Sequence, residues 1–364
     1  MICRAVREGD YARFADGLRR VAIDERTPVN GTLELTARCN LSCNHCYIVS
    51  RERAGDEESS ELSWQEWEVI FGKLAEAGCL WLGLTGGEPM LRGDFLELYE
   101  KARKSGFLIT VMTNGTLISN EVASLFSSLP PLAVEVTLYG ATESAYQRVT
   151  GSAQACSAAL EGVKRLLSHN IHTVLKMTVT RQNIEQVPAI KAIAKELDVP
   201  FRFDGLLSSA LNGTRDALAC RLGADELVSL EAIDHRVKHA WLKRQDHVTR
   251  YESGLLYDCG AGRNTFHVDW RGGLTPCIMV REPRFDILNG TFDGAWESEI
   301  ATLAHKTMNT HAKCSNCSLI GFCDTCAGWG MMEAGDPEAP TEYLCEVARE
   351  RSLRFGAELR QETR

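Results

Sequence analysis

Three cysteines fall within eight residues, in Cys39-Asn-Leu-Ser-Cys43-Asn-His-Cys46, directly after the apolar-alternating run Thr32-Leu33-Glu34-Leu35-Thr36. A strand that runs out into a thiol-rich loop points to a metal site at the strand's carboxyl end. Three cysteines hold three irons of a cubane 4Fe-4S cluster and leave the fourth iron open, whereas a structural zinc site closes its shell with four ligands. Everything else in the chain has to be compatible with a loop of that kind.

Composition narrows the setting. The 364 residues suffice for one large core plus a smaller module, and 44% hydrophobic with 24% charged residues is a globular balance. No apolar run approaches the roughly 20 residues of a membrane span, and the amino terminus has no apolar signal core, so a cytoplasmic protein is expected. In a reducing compartment, 14 cysteines clustered at short spacing read as metal ligands rather than disulfides. A formal charge of -9 argues against a nucleic-acid backbone as partner, and no membrane contact is expected.

Residues 1–30 read as a helical or irregular lead-in, with Tyr11, Phe14, Leu18 and Val21 at helical spacing. From Thr32 apolar strands alternate with amphipathic helices, the pattern of a parallel sheet with crossover helices. Strands are predicted near 32–37, 80–85, 107–112, 133–138, 172–179 and 201–206. Helices are predicted near 64–77, 94–104, 119–127, 155–168, 185–197 and 224–243. Ser63 is a candidate N-cap, and Gly78 and Gly106 stand where helices should end. Six such units make an α/β fold, an open, partial (β/α)6 TIM-like barrel whose working face is the carboxyl end of the strands.

The second strand ends in Leu84-Thr85-Gly86-Gly87-Glu88-Pro89. Two glycines let backbone approach a ligand closely, and a carboxylate beside them can accept from an ammonium group. Together with Cys39, Cys43 and Cys46, this order and spacing resembles the radical SAM superfamily. In that family the open iron chelates S-adenosyl-L-methionine and the glycine motif binds its amino group. The resemblance assigns Gly86, Gly87, Glu88 and Pro89 to the cofactor. It adds Asn114 after the third strand and Thr137 at the end of the fourth on the ribose side, and Lys176 in the fifth as a carboxylate contact. Tyr139 stands where relatives often have Asp. Asn183, where a ribose contact could stand, reads as a surface or capping residue, and His45 as a packing residue.

After about residue 250 the rhythm stops and seven cysteines follow, at 259, 277, 314, 317, 323, 326 and 345. The run 267–277 reads as a hairpin that returns Cys277 toward Cys259. Cys314-x2-Cys317-x5-Cys323-x2-Cys326 followed by Cys345 resembles the SPASM extension of radical SAM enzymes that modify peptides and proteins. That resemblance implies two auxiliary [4Fe-4S] clusters: Cys314, Cys317, Cys323 and Cys345 on one, Cys259, Cys277 and Cys326 on the other. The second set lacks a fourth cysteine, leaving room for water, a non-cysteine side chain or a substrate thiolate. Paired Cys-x2-Cys also suits zinc, but an odd set of seven fits two cubanes with one open site better. Cys3, Cys79, Cys156 and Cys220 read as incidental or buried thiols.

The expected organisation is a lead-in over 1–30, a radical SAM core over 31–250, a small cysteine-rich SPASM domain over 251–350 and a tail over 351–364. The resemblance implies three [4Fe-4S] clusters, reductive cleavage of S-adenosyl-L-methionine to a 5'-deoxyadenosyl radical, and oxidation of a ribosomally synthesised peptide by a thioether or carbon-carbon cross-link. Thirty residues leave no room for a leader-binding domain, so a separate leader-binding protein is expected, with a flavodoxin- or ferredoxin-type electron donor. Sulfatase maturation is the alternative, set back because Ile278-Met279-Val280 follows Cys277 where those relatives carry an Asp. Oxidation of a small molecule and a non-catalytic iron-sulfur or zinc scaffold are the others. The glycine motif speaks against a scaffold.

Overall fold

The computed structural model describes residues 8–48, 61–245 and 254–362. Six parallel strands are laid down in chain order: β1 Asn30–Glu34, β2 Trp81–Thr85, β3 Leu108–Thr113, β4 Ala133–Thr137, β5 Thr173–Thr178 and β6 Phe201–Asp204. Each pairs in parallel with the next, which leaves the crossover helices to cover one face. Strand alternation divides the side chains: Leu33, Leu84, Ile109, Val111, Val134, Val136, Leu175 and Met177 are fully buried against the helices. The opposite face carries Glu34, Thr85, Glu135, Thr137 and Lys176, with Met112 among them, a largely polar lining expected of a barrel interior that serves chemistry.

Local chemistry sets the helices. The helix Trp64–Glu76 opens on a complete capping box between Ser63 and Glu66, and it buries Trp67, Ile70, Phe71 and Leu74. Burial of each such apolar side chain stabilises by roughly 1.5–3 kcal/mol. Gly78 and Gly106 both take positive φ, as the chain reversals after these helices require. The first helix, Glu8–Asp24, turns a different face inward than the sequence spacing predicts. Ala15 and Ala22 are buried with Tyr11 and Leu18 beside them, while Phe14 and Val21 are exposed. The close approach of this helix to Val29 and Trp81 selects the small residues over the large ones. The helix expected over 224–243 is two, Ala224–Ile233 and His235–Gln245, because the buried Asp234 turns its carboxylate onto the Arg236 and Val237 amides and starts a new helix.

The expected hairpin is present, with an added role. Its first strand, β7 Thr265–Val268, pairs in parallel with β1 and continues the barrel sheet. Strands β8 Gly273–Thr275 and β9 Phe285–Asp286 then add antiparallel, giving the order β6-β5-β4-β3-β2-β1-β7-β8-β9. The cysteine-rich part of the chain is thus built onto the wall of the barrel beside β1. Cys3 lies outside the described residues. Cys79, Cys156 and Cys220 are buried thiols.

Candidate active site

The Cys39–Cys46 loop leaves the carboxyl end of β1 and is fastened from three sides. On the first side Gly87 N donates to Thr36 O and Glu88 N to Arg38 O, both at 2.8 Å. A methyl group at Gly86 or Gly87 would run into the carbonyls of Thr36 or Arg38. The close approach that the glycine pair allows is therefore to the loop that carries the cysteines. On the second side Ser42 N donates to Thr150 O (3.0 Å) and Asn44 N to Val149 O (3.2 Å), from the helix Glu143–Thr150. That helix is absent from the sequence reading. On the third, Glu61 takes two hydrogen bonds from Arg38 (3.0 and 2.9 Å) and another from Thr36, and Arg92 stands 3.6 Å away.

Within this frame the thiols gather at one place. Leu41 N lies 3.5 Å and Asn114 Nδ2 3.9 Å from Cys39 Sγ, so amide donors face a sulfur that would bear charge. The Tyr139 phenol is pushed well above its ordinary pKa, first by burial and then by Cys43, Cys39 and Cys46, which places it beside all three thiols. His45 packs on Tyr139 with ring centroids 5.6 Å apart. Among the described residues no three His, Cys, Asp or Glu side chains converge as ligands of a single ion would. Cubane ligands each hold a separate iron and stand further apart. Three thiols on one loop with amide donors to sulfur fit a three-cysteine cluster with one open iron.

The other predicted contacts divide. Asn114 is nearly buried and reaches the cysteine loop, donating to Asn40 Oδ1 at 2.8 Å. Thr137 and Lys176 face each other in register on β4 and β5, on the polar face. Pro89 starts a short 3-10 turn. Glu88 points elsewhere than an ammonium acceptor should. It is fully buried, and its two oxygens accept from Thr113 Oγ1 (2.8 and 2.9 Å), Asn114 N (2.8 Å) and Met90 N (3.2 Å). Those donors fill the carboxylate, which closes the seam between β2 and β3 while the backbone of Gly86–Glu88 lies along the cysteine loop. Burial raises its pKa to about 7 against the pull of Asn114, Thr113 and Met90. Asn183 spends its side-chain hydrogen bonds on Thr180, Tyr139 and Thr178, and makes no side-chain cap to the short 3-10 turn Ile184–Gln186 that follows it.

The distal thiols fall into the two groups. Burial first, then Cys345 and Cys317, raise the Cys314 thiol, and burial raises Cys323 to about 12 with Cys345 and Cys314 among the contributors. Cys345 is in the first turn of the helix Glu342–Glu362. Burial, with Cys326 and Cys259, raises Cys277 to about 11, and Tyr257 rises to about 12 for the same reasons. Cys326 caps the helix Ala327–Ala334, and a methyl group on Gly328 would stand 2.7 Å from Met279 O, so this helix start packs on the Cys277 loop. Charge interactions thus link Cys314, Cys317, Cys323 and Cys345 with one another, and separately Cys259, Cys277 and Cys326 with Tyr257.

One feature escaped the sequence reading. Glu34, fully buried at the end of β1, accepts from Tyr47 Oη at 3.0 Å and from both terminal nitrogens of Arg281 at 3.0–3.1 Å. His267 Nε2 stands 3.2 Å away, without good hydrogen-bond alignment. Burial works to raise the Glu34 pKa, and His267 and Arg281 outweigh it and bring it to about 2. Burial lowers that of His267, so near neutral pH the imidazole is uncharged and Arg281 is the remaining cation.

An open, partial (β/α) barrel with a three-cysteine loop on its first strand and a glycine pair on its second is the arrangement of a radical SAM domain. Residues 33–193 match the family model described as Radical SAM superfamily. Along 88% of the chain, and 73% of the relative, it is 27% identical to the sporulation killing factor maturation protein SkfB of Bacillus subtilis. It is 28% identical to the mycofactocin maturase MftC of Mycolicibacterium smegmatis, over 84% of this chain and 79% of that one. Streptococcus suis SuiB, solved bound to its precursor peptide SuiA, shares the fold with a TM-score of 0.70 at 15% identity, over 95% of this chain and 84% of that one. Among the described residues no helix is long and apolar enough to cross a membrane.

Proposed function

We propose that this radical SAM enzyme oxidatively cross-links a ribosomally synthesised peptide, through a thioether or a carbon-carbon bond, using three [4Fe-4S] clusters. What supports the reading is the charge coupling of Cys314, Cys317, Cys323 and Cys345 with one another, and of Cys277 with Cys259 and Cys326. Similarity to proteins named as maturases, SkfB and MftC, over more than four fifths of the chain supports a peptide substrate. In this reading Cys39, Cys43 and Cys46 hold the cluster that binds S-adenosyl-L-methionine. The backbone of Gly86–Glu88 seats the loop, and Asn114, Thr137 and Lys176 line the cofactor's side of the barrel. Cys314, Cys317, Cys323 and Cys345 hold one auxiliary cluster, and Cys259, Cys277 and Cys326 hold the other with one position open beside Tyr257.

When bound, S-adenosyl-L-methionine and its cluster supply a 5'-deoxyadenosyl radical. The chain orients the peptide carbon above the polar face of the sheet and excludes water there. Cross-linking removes two hydrogens; the bound cofactors would accept one as a hydrogen atom and the electron of the other, whose proton would be left to a base or to water. Residues 31–250 form the catalytic core and 251–350 the auxiliary module. A separate leader-binding protein presents the peptide, and a flavodoxin- or ferredoxin-type donor supplies electrons.

The test is anaerobic incubation of reconstituted enzyme, S-adenosyl-L-methionine and reductant with peptides encoded beside its gene. The expected product is about 2 Da lighter per cross-link. Deoxyadenosine release with no peptide change, for every such candidate, refutes the peptide reading.

A further inference from the structure

Side chains from distant parts of the chain meet at one buried carboxylate. Tyr47 directly follows Cys46, and Arg281 stands four residues beyond Cys277. Both bond to Glu34, which is fully buried at the end of β1, and Arg281 also closes its own loop by donating from Nε to Ile278 O at 2.8 Å. His267 on β7, the strand that joins the cysteine-rich part to the barrel, completes the ring and reaches Thr275 Oγ1 through Nδ1 at 3.1 Å. Thr275 in turn donates to Cys277 O at 3.3 Å.

Burying an ionised carboxylate and a guanidinium is costly, and apolar residues of the same volume would pack there without that cost. What the ion pair adds is direction, because a forked guanidinium on a carboxylate fixes the angle and register of the segments that carry them. Here those segments are the two metal-binding loops, joined across more than two hundred residues of sequence.

We propose that Glu34 is a positioning residue: it clamps the Cys277–Arg281 loop to the Cys46–Tyr47 loop and so sets the separation and relative orientation of the two metal centres. This rests on the reading that Cys259, Cys277 and Cys326 hold an auxiliary cluster. Electron transfer weakens steeply with distance, so a slack clamp uncouples S-adenosyl-L-methionine cleavage from peptide oxidation. The clamp is also close to charge-neutral, so opening it from either side exposes the clusters to opposite fields.

The experiment compares holoenzyme with Glu34→Gln, Arg281→Met, Arg281→Lys and the Glu34→Gln/Arg281→Met double variant. Iron content, the reduction potentials of the clusters by EPR-monitored titration, and product formed per deoxyadenosine released are measured. Glu34→Gln leaves Arg281 uncompensated and should shift the potentials upward. Arg281→Met should shift them downward, and the double variant should return them toward wild type. Each should lose about tenfold in product per deoxyadenosine, with Arg281→Lys regaining part. A purely structural contact would not give shifts of opposite sign that cancel in the pair. Should Glu34→Gln fail to fold, Tyr47→Phe, which deletes one hydrogen bond, should show a smaller loss of the same coupling. Full iron with unchanged potentials and coupling overturns the clamp alone. Wild-type enzyme without iron at the Cys259 set overturns the reading beneath it.

Discussion

The two thiol-bearing regions are assembled in opposite ways. Cys39, Cys43 and Cys46 come from a single loop, and the fold's task is to hold that loop still: the Gly86–Glu88 backbone on one side, the helix Glu143–Thr150 on another, Glu61 on a third. The seven distal cysteines come from separate turns and helix starts, and the fold's task is to bring them together. Cys326 caps one helix, Cys345 opens another, and Cys277 lies just past β8. A local site can be seated almost rigidly before any metal arrives, whereas a distributed one depends on its surroundings for its existence. In the proposed reading the first binds an exchangeable cofactor and the second holds a resident electron acceptor.

The largest effect should come from the local loop. Replacing Cys39, Cys43 or Cys46 by Ala should abolish deoxyadenosine formation, measured by chromatography after reduction, while leaving the distal clusters' iron in place. Survival of cleavage in any of the three would break the division between the regions. The distributed site should respond differently: Cys277→Ala should lower iron by about four from about 12 per chain. It should also lose the peptide product and keep deoxyadenosine release, and an unchanged iron count would remove the second region from the comparison.

Smaller changes sharpen how the loop is seated. Gly87→Ala forces a methyl group into the Arg38 carbonyl, an overpacking that costs about 1–3 kcal/mol of stability and should weaken S-adenosyl-L-methionine binding. Calorimetry of both quantities checks it, and Gly328→Ala, against Met279 O in the distal region, should leave cofactor binding alone.

Glu88 adds a pH dependence. Its folded pKa of about 7 lies above the ordinary 4.5, so the stability its protonated form contributes is present below 4.5 and lost as pH rises through 7. Glu88→Gln should remove that loss, by up to about 3 kcal/mol at the alkaline end. The difference between variant and wild-type denaturation midpoints should therefore widen from pH 5.5 to 8. The smallest effect is expected from Asn114→Ala, which deletes the amide facing Cys39 Sγ. It should lower the cluster's reduction potential and slow cleavage about tenfold.

The six parallel strands, most of their crossover helices and the cysteine loop were legible because they are written in short-range pattern: alternation, glycine stops, and thiols a few residues apart. The grouping of the distal thiols was readable only through resemblance, since no local rule joins Cys314 to Cys345. Long-range pairings were silent. A glutamate in an apolar strand looks like any solvent-facing residue until Arg281 and His267 arrive from the far end of the chain to bury it. The first helix misled because spacing marks a stripe without saying which neighbour will be too close for Phe14. Glu88 misled for a related reason, since its partners Thr113 and Asn114 belong to the next strand.

The parallel pairing of β7 with β1 carries a practical consequence for anyone who would handle the two parts separately. Cutting the chain after residue 245 would strip the first strand of its neighbour and leave a raw row of amides and carbonyls. It would also leave Glu34 with neither counter-charge nor imidazole. Such a fragment should pair with copies of itself instead of standing alone. The accessory part of this enzyme is masonry: the barrel has no finished wall without it.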